Sequence, residues 1–154
     1  RDSVILRILH SVAVSRNMEK LQLSVTSAMS ERPACHTRYA QIAPFETRDG
    51  SEIRELMHPA HHAVRSQSLA EAIVEPGAAT RLHLHRRTEE IYHVTAGRGR
   101  MRLGERVFDL ERGDTVVIAP GTPHNVRNTG HLPLKILCAC TPAYMHEDTE
   151  LLDL

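Results

Sequence analysis

The sequence carries no net charge, no long apolar run and no even set of cysteines, and each absence narrows what the chain can be. Its 19 basic and 19 acidic residues cancel, and no Lys-rich run offers the phosphate-neutralising surface that nucleic acid requires. No apolar stretch approaches the roughly 20 residues that cross a bilayer. Neither a nucleic acid nor a membrane is therefore expected as a partner. Three cysteines, Cys35, Cys138 and Cys140, cannot all pair within one chain. Cys138 and Cys140 lie two apart in a strand-like run, where extended geometry holds their Cα atoms about 7 Å apart, at the limit for a disulfide. A reducing, cytoplasmic setting is the expectation that follows.

The 154 residues, 41% hydrophobic and 25% charged, suit a single globular core. Residues 1–33 read as an N-terminal extension and 34–154 as the domain proper. The extension opens on Arg1, with Met18 and Met29 as alternative starts. In it Ile5, Ile8, Leu9 and Val12 follow the i, i+3, i+4, i+7 spacing of an amphipathic helix. Arg7 and His10 interrupt what would be the apolar centre of a secretory signal. An arm packed on the domain or on a second subunit is expected, with an organelle transit peptide as a weaker alternative. Between Ala34 and His62, Pro44, the Asp49-Gly50 turn and Pro59 break the chain into one or two short strands. His58, His61 and His62 cluster there without a regular period and read as surface histidines.

After Ser68 the chain alternates short apolar runs with turn residues. Runs at 68–74, 80–84, 91–96, 100–103, 106–110, 115–118, 125–127 and 134–141 are separated by Pro76-Gly77, Gly97, Gly104, Gly113, Pro120-Gly121 and Gly130. Short strands joined by Gly-rich turns, with no helical run between them, predict an all-β barrel or sandwich of antiparallel strands. The tail from Tyr144 to Leu154 is expected to dock on the surface.

The chemistry gathers at His83-Leu84-His85-Arg86-Arg87-Thr88-Glu89-Glu90. In a strand, His83 and His85 project to one side, so two imidazoles can reach one ion. Glu90 can add a carboxylate from the start of the next run, with Glu89 as its competitor. Imidazole suits iron, nickel, copper and zinc, and a carboxylate extends the choice to manganese.

The spacing resembles a known pattern. Gly77, five residues, His83-x-His85, four residues, Glu90, six residues and Gly97 are followed by Gly113-Asp114 through Pro120-Gly121-Thr122-Pro123-His124 and Asn128. These two blocks resemble the signature motifs of the cupin superfamily, and the stretch from His83 to Arg102 is similar to the small single-domain cupins described as mannose-6-phosphate isomerase-like. The family usually has Pro where Ala119 stands, with Pro120 beside it here. The resemblance implies a double-stranded β-helix, or jelly roll, and a divalent transition metal (Fe, Mn, Ni, Zn or Cu) held by His83, His85, Glu90 and His124. No phosphate-binding loop supports a sugar phosphate as substrate.

Four protein ligands leave positions open on a six-coordinate ion, which is the mark of a working site as opposed to a structural one. Strand alternation puts Arg81 on the face of His83 and His85, and Tyr92 on that of Glu90. Arg81 is the candidate anchor for an anionic substrate and Tyr92 the candidate catalytic proton donor. Cys138, set inward by the outward Lys135, is a third candidate to face substrate. The leading expectation is a metal-dependent, oxygenase-like enzyme acting on a small polar or anionic molecule. The alternatives are a non-catalytic ligand-binding or sensing protein, a sugar isomerase or epimerase, and a structural zinc protein. A homodimer is the expected assembly.

Overall fold

The computed structural model describes residues 35–152, so the helix-like pattern at 5–12 and the extension boundary lie outside the described residues. Among the described residues, eleven strands form two antiparallel sheets. The larger sheet has the order β1-β2-β3-β10-β5-β8, from Phe45–Glu46 (β1), Glu52–Met57 (β2), Ser68–Val74 (β3), Leu134–Thr141 (β10), Glu89–Ala96 (β5) and Thr115–Ile118 (β8). The smaller has the order β11-β4-β9-β6-β7, from Thr149–Leu151 (β11), His83–His85 (β4), His124–Asn128 (β9), Arg98–Leu103 (β6) and Arg106–Glu111 (β7). No helix among the described residues is long and apolar enough to cross a membrane.

Alternation does the sorting. In β5, Glu90, Tyr92 and Val94 are buried while Glu89, Ile91 and His93 are exposed. In β10, Leu134, Ile136, Cys138 and Cys140 are buried and Lys135, Leu137 and Ala139 are less so. Residues of the two inward faces interdigitate into one core, with Val94, Met101, Ile118, Val126, Leu134 and Ile136 at its centre. Gly97 turns β5 into β6 at φ 79, and a Cβ there would lie 2.8 Å from Leu134 Cα. Only glycine fits that approach with that backbone.

The expected runs at 68–74, 115–118 and 134–141 coincide with β3, β8 and β10. The run expected at 80–84 is shorter and later, because Ala79 makes only an isolated bridge to Arg127 and regular pairing begins at His83. The tail differs more. It does not merely lie on the surface: β11 pairs with β4 in register Thr149↔His85 and Leu151↔His83, and it buries Asp148 and Thr149. A carboxylate is held inside by donors: Asp148 Oδ2 accepts from Thr88 N at 3.0 Å and Arg87 N at 3.2 Å, and Oδ1 accepts from Arg87 Nε at 3.2 Å.

Candidate metal centre

His83 and His85 leave β4 on its inward side, His124 opens β9 and faces His83 across the ladder, and Glu90 leaves β5 of the opposite sheet. The four are buried. The ring centroids of the histidines are 4.2 Å (His83 to His124), 5.2 Å (His83 to His85) and 5.4 Å (His85 to His124) apart. One ligating nitrogen from each lies within 4.8 Å of the others. Glu90 Oε2 is 3.1 Å from His85 Nε2 and 3.5 Å from His124 Nε2. Of the two acids, Glu90 is the one placed beside the histidines, and Glu89 is exposed.

The outer nitrogens are engaged by the protein. His83 Nδ1 lies 2.8 Å from the Arg81 carbonyl and His124 Nδ1 lies 2.9 Å from the Thr122 carbonyl. A carbonyl only accepts, so both Nδ1 atoms carry the proton and both Nε2 atoms, in the neutral ring, present a lone pair. His85 Nδ1 is 3.2 Å from the Thr149 hydroxyl. This is the outer hydrogen bonding that orients metal-ligating imidazoles and fixes their tautomer.

His124 Nε2 is then an acceptor facing another acceptor, Glu90 Oε2. It is fully buried and has no hydrogen-bond partner. Such an orphan costs free energy in a dry interior, and a cation between the two atoms removes the conflict. The residues present therefore fit a metal ion, with three imidazole nitrogens and one carboxylate as donors of the mixed kind that transition metals accept.

The electrostatics are consistent with that role. Burial alone would raise the Glu90 carboxyl, but N–H donation and positive charge from the His124 and His85 imidazoles, available while no metal occupies their inner nitrogens, outweigh it and bring its pKa down to about 2. Burial, and then the neighbouring His124, hold the His83 imidazole below its ordinary value. Both groups thus favour the unprotonated form that ligates.

The centre opens onto a cavity between the two sheets. Tyr92 lines it, with its ring edge-on to His124 at 6.0 Å. Cys138 also lines it. Burial, chiefly, pushes both their ionisations well up, so both stay protonated. Arg81 is elsewhere. It is exposed, lies outside the cavity lining, and precedes β4 in irregular chain where strand alternation does not set its direction. Its backbone carbonyl, not its guanidinium, serves His83.

Several residues at the site escaped the sequence reading. Cys140, two past Cys138, is the thiol that reaches the centre, with Sγ 3.4 Å from Glu90 Oε1. The inward set of β10 contained that signal. Tyr144 stacks edge-on to His85 at 5.8 Å, and Thr149 holds the same ring from behind. Asp49, in the recognised Asp49-Gly50 turn, lines the cavity. The histidines of the approach segment stay outside the centre: His58 accepts from Ala60 N at 3.1 Å through Nδ1 and meets the Tyr144 carbonyl at 2.9 Å through Nε2.

Comparison with known proteins agrees with this construction. Residues 70–140 match the model of the cupin domain. An uncharacterized protein of Methanocaldococcus jannaschii is 52% identical over 117 residues, 76% of this chain and 94% of that protein. The crystal structure of a predicted oxalate decarboxylase from Thermotoga maritima superposes with a TM-score of 0.63 at 23% identity, covering 70% of this chain and 99% of that one. A Streptomyces protein solved with uridine superposes with a TM-score of 0.65 at 15% identity, covering 79% and 93%. The two structures share the fold, and the relative from Methanocaldococcus jannaschii is identical at about half of the aligned positions. With two sheets rolled around three convergent histidines and a matching domain model, the chain belongs to the cupin family.

Proposed function

We propose that this protein is a metal-dependent enzyme of oxygenase type that acts on a small polar molecule in the cavity between its sheets. The observation that carries the reading is the convergence of His83, His85, His124 and Glu90 on one point beside that cavity, with His124 Nε2 buried and unpartnered. A divalent transition ion held there would supply Lewis acidity and, if redox-active, electrons for dioxygen chemistry. The protein's own part is to orient. Arg81 and Thr122 carbonyls and the Thr149 hydroxyl aim the imidazoles, and the apolar walls limit water. Tyr92, kept protonated by burial, is the side chain we assign as hydrogen-bond or proton donor to substrate. The test is oxygen consumption by protein reconstituted with iron or manganese against a panel of thiols, diketones, polyols, amines and carboxylates. Turnover with one of them supports the reading, and none across the panel removes the oxygenase.

One feature favours a second reading, a binding or sensing protein without turnover. Tyr92, Cys138 and Cys140 are all held protonated, mainly by burial, so none of them serves as a ready base. Tight retention of an unchanged molecule by the metal-loaded protein would select this reading.

We also propose a homodimer formed through the outer face of the larger sheet. Leu69, Ala139, Ile91 and Val117 stand side by side across β3, β10, β5 and β8 by register. Leu69, Ile91 and Val117 are exposed, and a second copy would cover that apolar row.

A further inference from the structure

The cavity's charge is set by acids alone. Among the described residues, its lining holds the carboxylates of Asp49, Glu55 and Glu90 and no lysine or arginine. Asp49 is 9% exposed. Its Oδ1 accepts from Thr47 Oγ1 at 2.5 Å, Ser51 Oγ at 2.8 Å and Ser51 N at 3.1 Å. Those three donors all meet Oδ1, and among the described residues no hydrogen bond reaches Oδ2, in a side chain that lines the cavity. Its charge is felt across the site: it favours the protonated form of His83 and opposes ionisation of Tyr92, Cys138 and Tyr144.

Glu55 sits at the rim, 3.6 Å from His58 Nδ1. That nitrogen accepts from Ala60 N, so it holds no proton for Glu55 and the carboxylate is not neutralised there. Arg81, the cation that the sequence offered as an anion anchor, is exposed and outside the lining. Even a divalent ion does not outweigh three carboxylates. Buried acceptors without donors recognise molecules that bring donors, and they repel anions in a site of low dielectric.

We infer that the cavity selects an uncharged or cationic small molecule bearing hydroxyl or amine donors, placed against Asp49 Oδ2 and Glu55, and rejects carboxylate and phosphate anions. This rests on the metal reading above for the site's location, and narrows the substrate class within it. The anion-anchoring role for Arg81 has no place in such a site.

The test uses two four-carbon probes of matched size, neutral erythritol and dianionic tartrate, titrated calorimetrically into cobalt-loaded protein. Tartrate is expected to bind at least tenfold more weakly than erythritol. In the D49N/E55Q double variant that ratio should shrink at least tenfold through tighter tartrate binding. Should Asp49→Asn prevent folding, Glu55→Gln alone is expected to narrow the ratio about threefold. Tartrate binding as tightly as erythritol, a ratio unmoved by the variants, or no binding of either probe would each overturn the inference. Cobalt content, measured on the same samples, reports on the metal reading separately. A protein that takes up no cobalt defeats that reading, while the same titrations still measure the charge preference.

Discussion

His85 Nδ1 and the Thr149 hydroxyl lie 3.2 Å apart although 64 residues separate them in the chain. The last strand of the domain therefore fixes the orientation of an imidazole supplied by its fourth. Replacing Thr149 by Val keeps the shape and removes the hydroxyl. Loss of such an outer partner typically weakens metal affinity about 10- to 100-fold. Chelator competition should show that loss for Thr149→Val and near-native affinity for Thr149→Ser. Equal affinity in the Val variant would mean that the hydroxyl does not orient the ring.

Asp148 ties the turn between His85 and Glu90 to the same tail. Asp148→Ala leaves the buried Thr88 N–H and the Arg87 N–H without their carboxylate, a cost of about 1–3 kcal/mol for each such unsatisfied group. The expected result is a fall in Tm of several degrees, read by differential scanning calorimetry on metal-free protein. An unchanged Tm would show that water replaces the carboxylate without loss.

The metal-free protein should lose stability on the acid side. The His83 pKa is held below its ordinary 6.5 by burial and by His124, so the unfolded chain binds the proton more readily. Its contribution is present above pH 6.5 and declines as pH falls below it. Glu90 is lowered from 4.5 to about 2, so its contribution is present above pH 4.5 and is lost as pH falls toward 2. Urea midpoints from pH 7.5 downward should decline through both windows. Glu90→Gln should flatten the lower one, and an unchanged acid slope in that variant would contradict the assignment.

If a second copy covers the row formed by Leu69, Ala139, Ile91 and Val117, a charge in its middle should separate the two. Ile91→Lys faces outward, so the monomer's core is untouched. Light scattering after size exclusion should report a dimer for the native chain and a monomer for the variant. A native monomer would exclude the assembly.

Much of this architecture was legible in the sequence because a strand writes its two faces into alternate residues. Glu90 and Tyr92 inward with Ile91 and His93 outward, or Cys138 and Cys140 against Lys135, follow from that period alone, and the His83-x-His85 spacing placed both rings on one side. The period stops where the strand stops. Arg81 lies before β4, where no ladder fixes its direction, and it is not among the residues that line the cavity. Asp49 lies in a turn, and nothing in Asp49-Gly50 tells which way the carboxylate faces. Thr149 and Asp148 reach the centre through long-range pairing, which a polar tail with three leucines does not announce. The residues that converge on the centre were therefore readable, while those that hold the imidazoles from behind and line the cavity with acids came from tertiary contacts.

The central claim is that His83, His85, His124 and Glu90 hold one ion together. Elemental analysis of purified protein, with calorimetric titration of metal-free protein by manganese and cobalt, tests it directly. One equivalent per chain, reduced at least a hundredfold in affinity by His124→Ala and by Glu90→Gln, is the predicted result. Absence of uptake, or uptake that survives both substitutions unchanged, would contradict it.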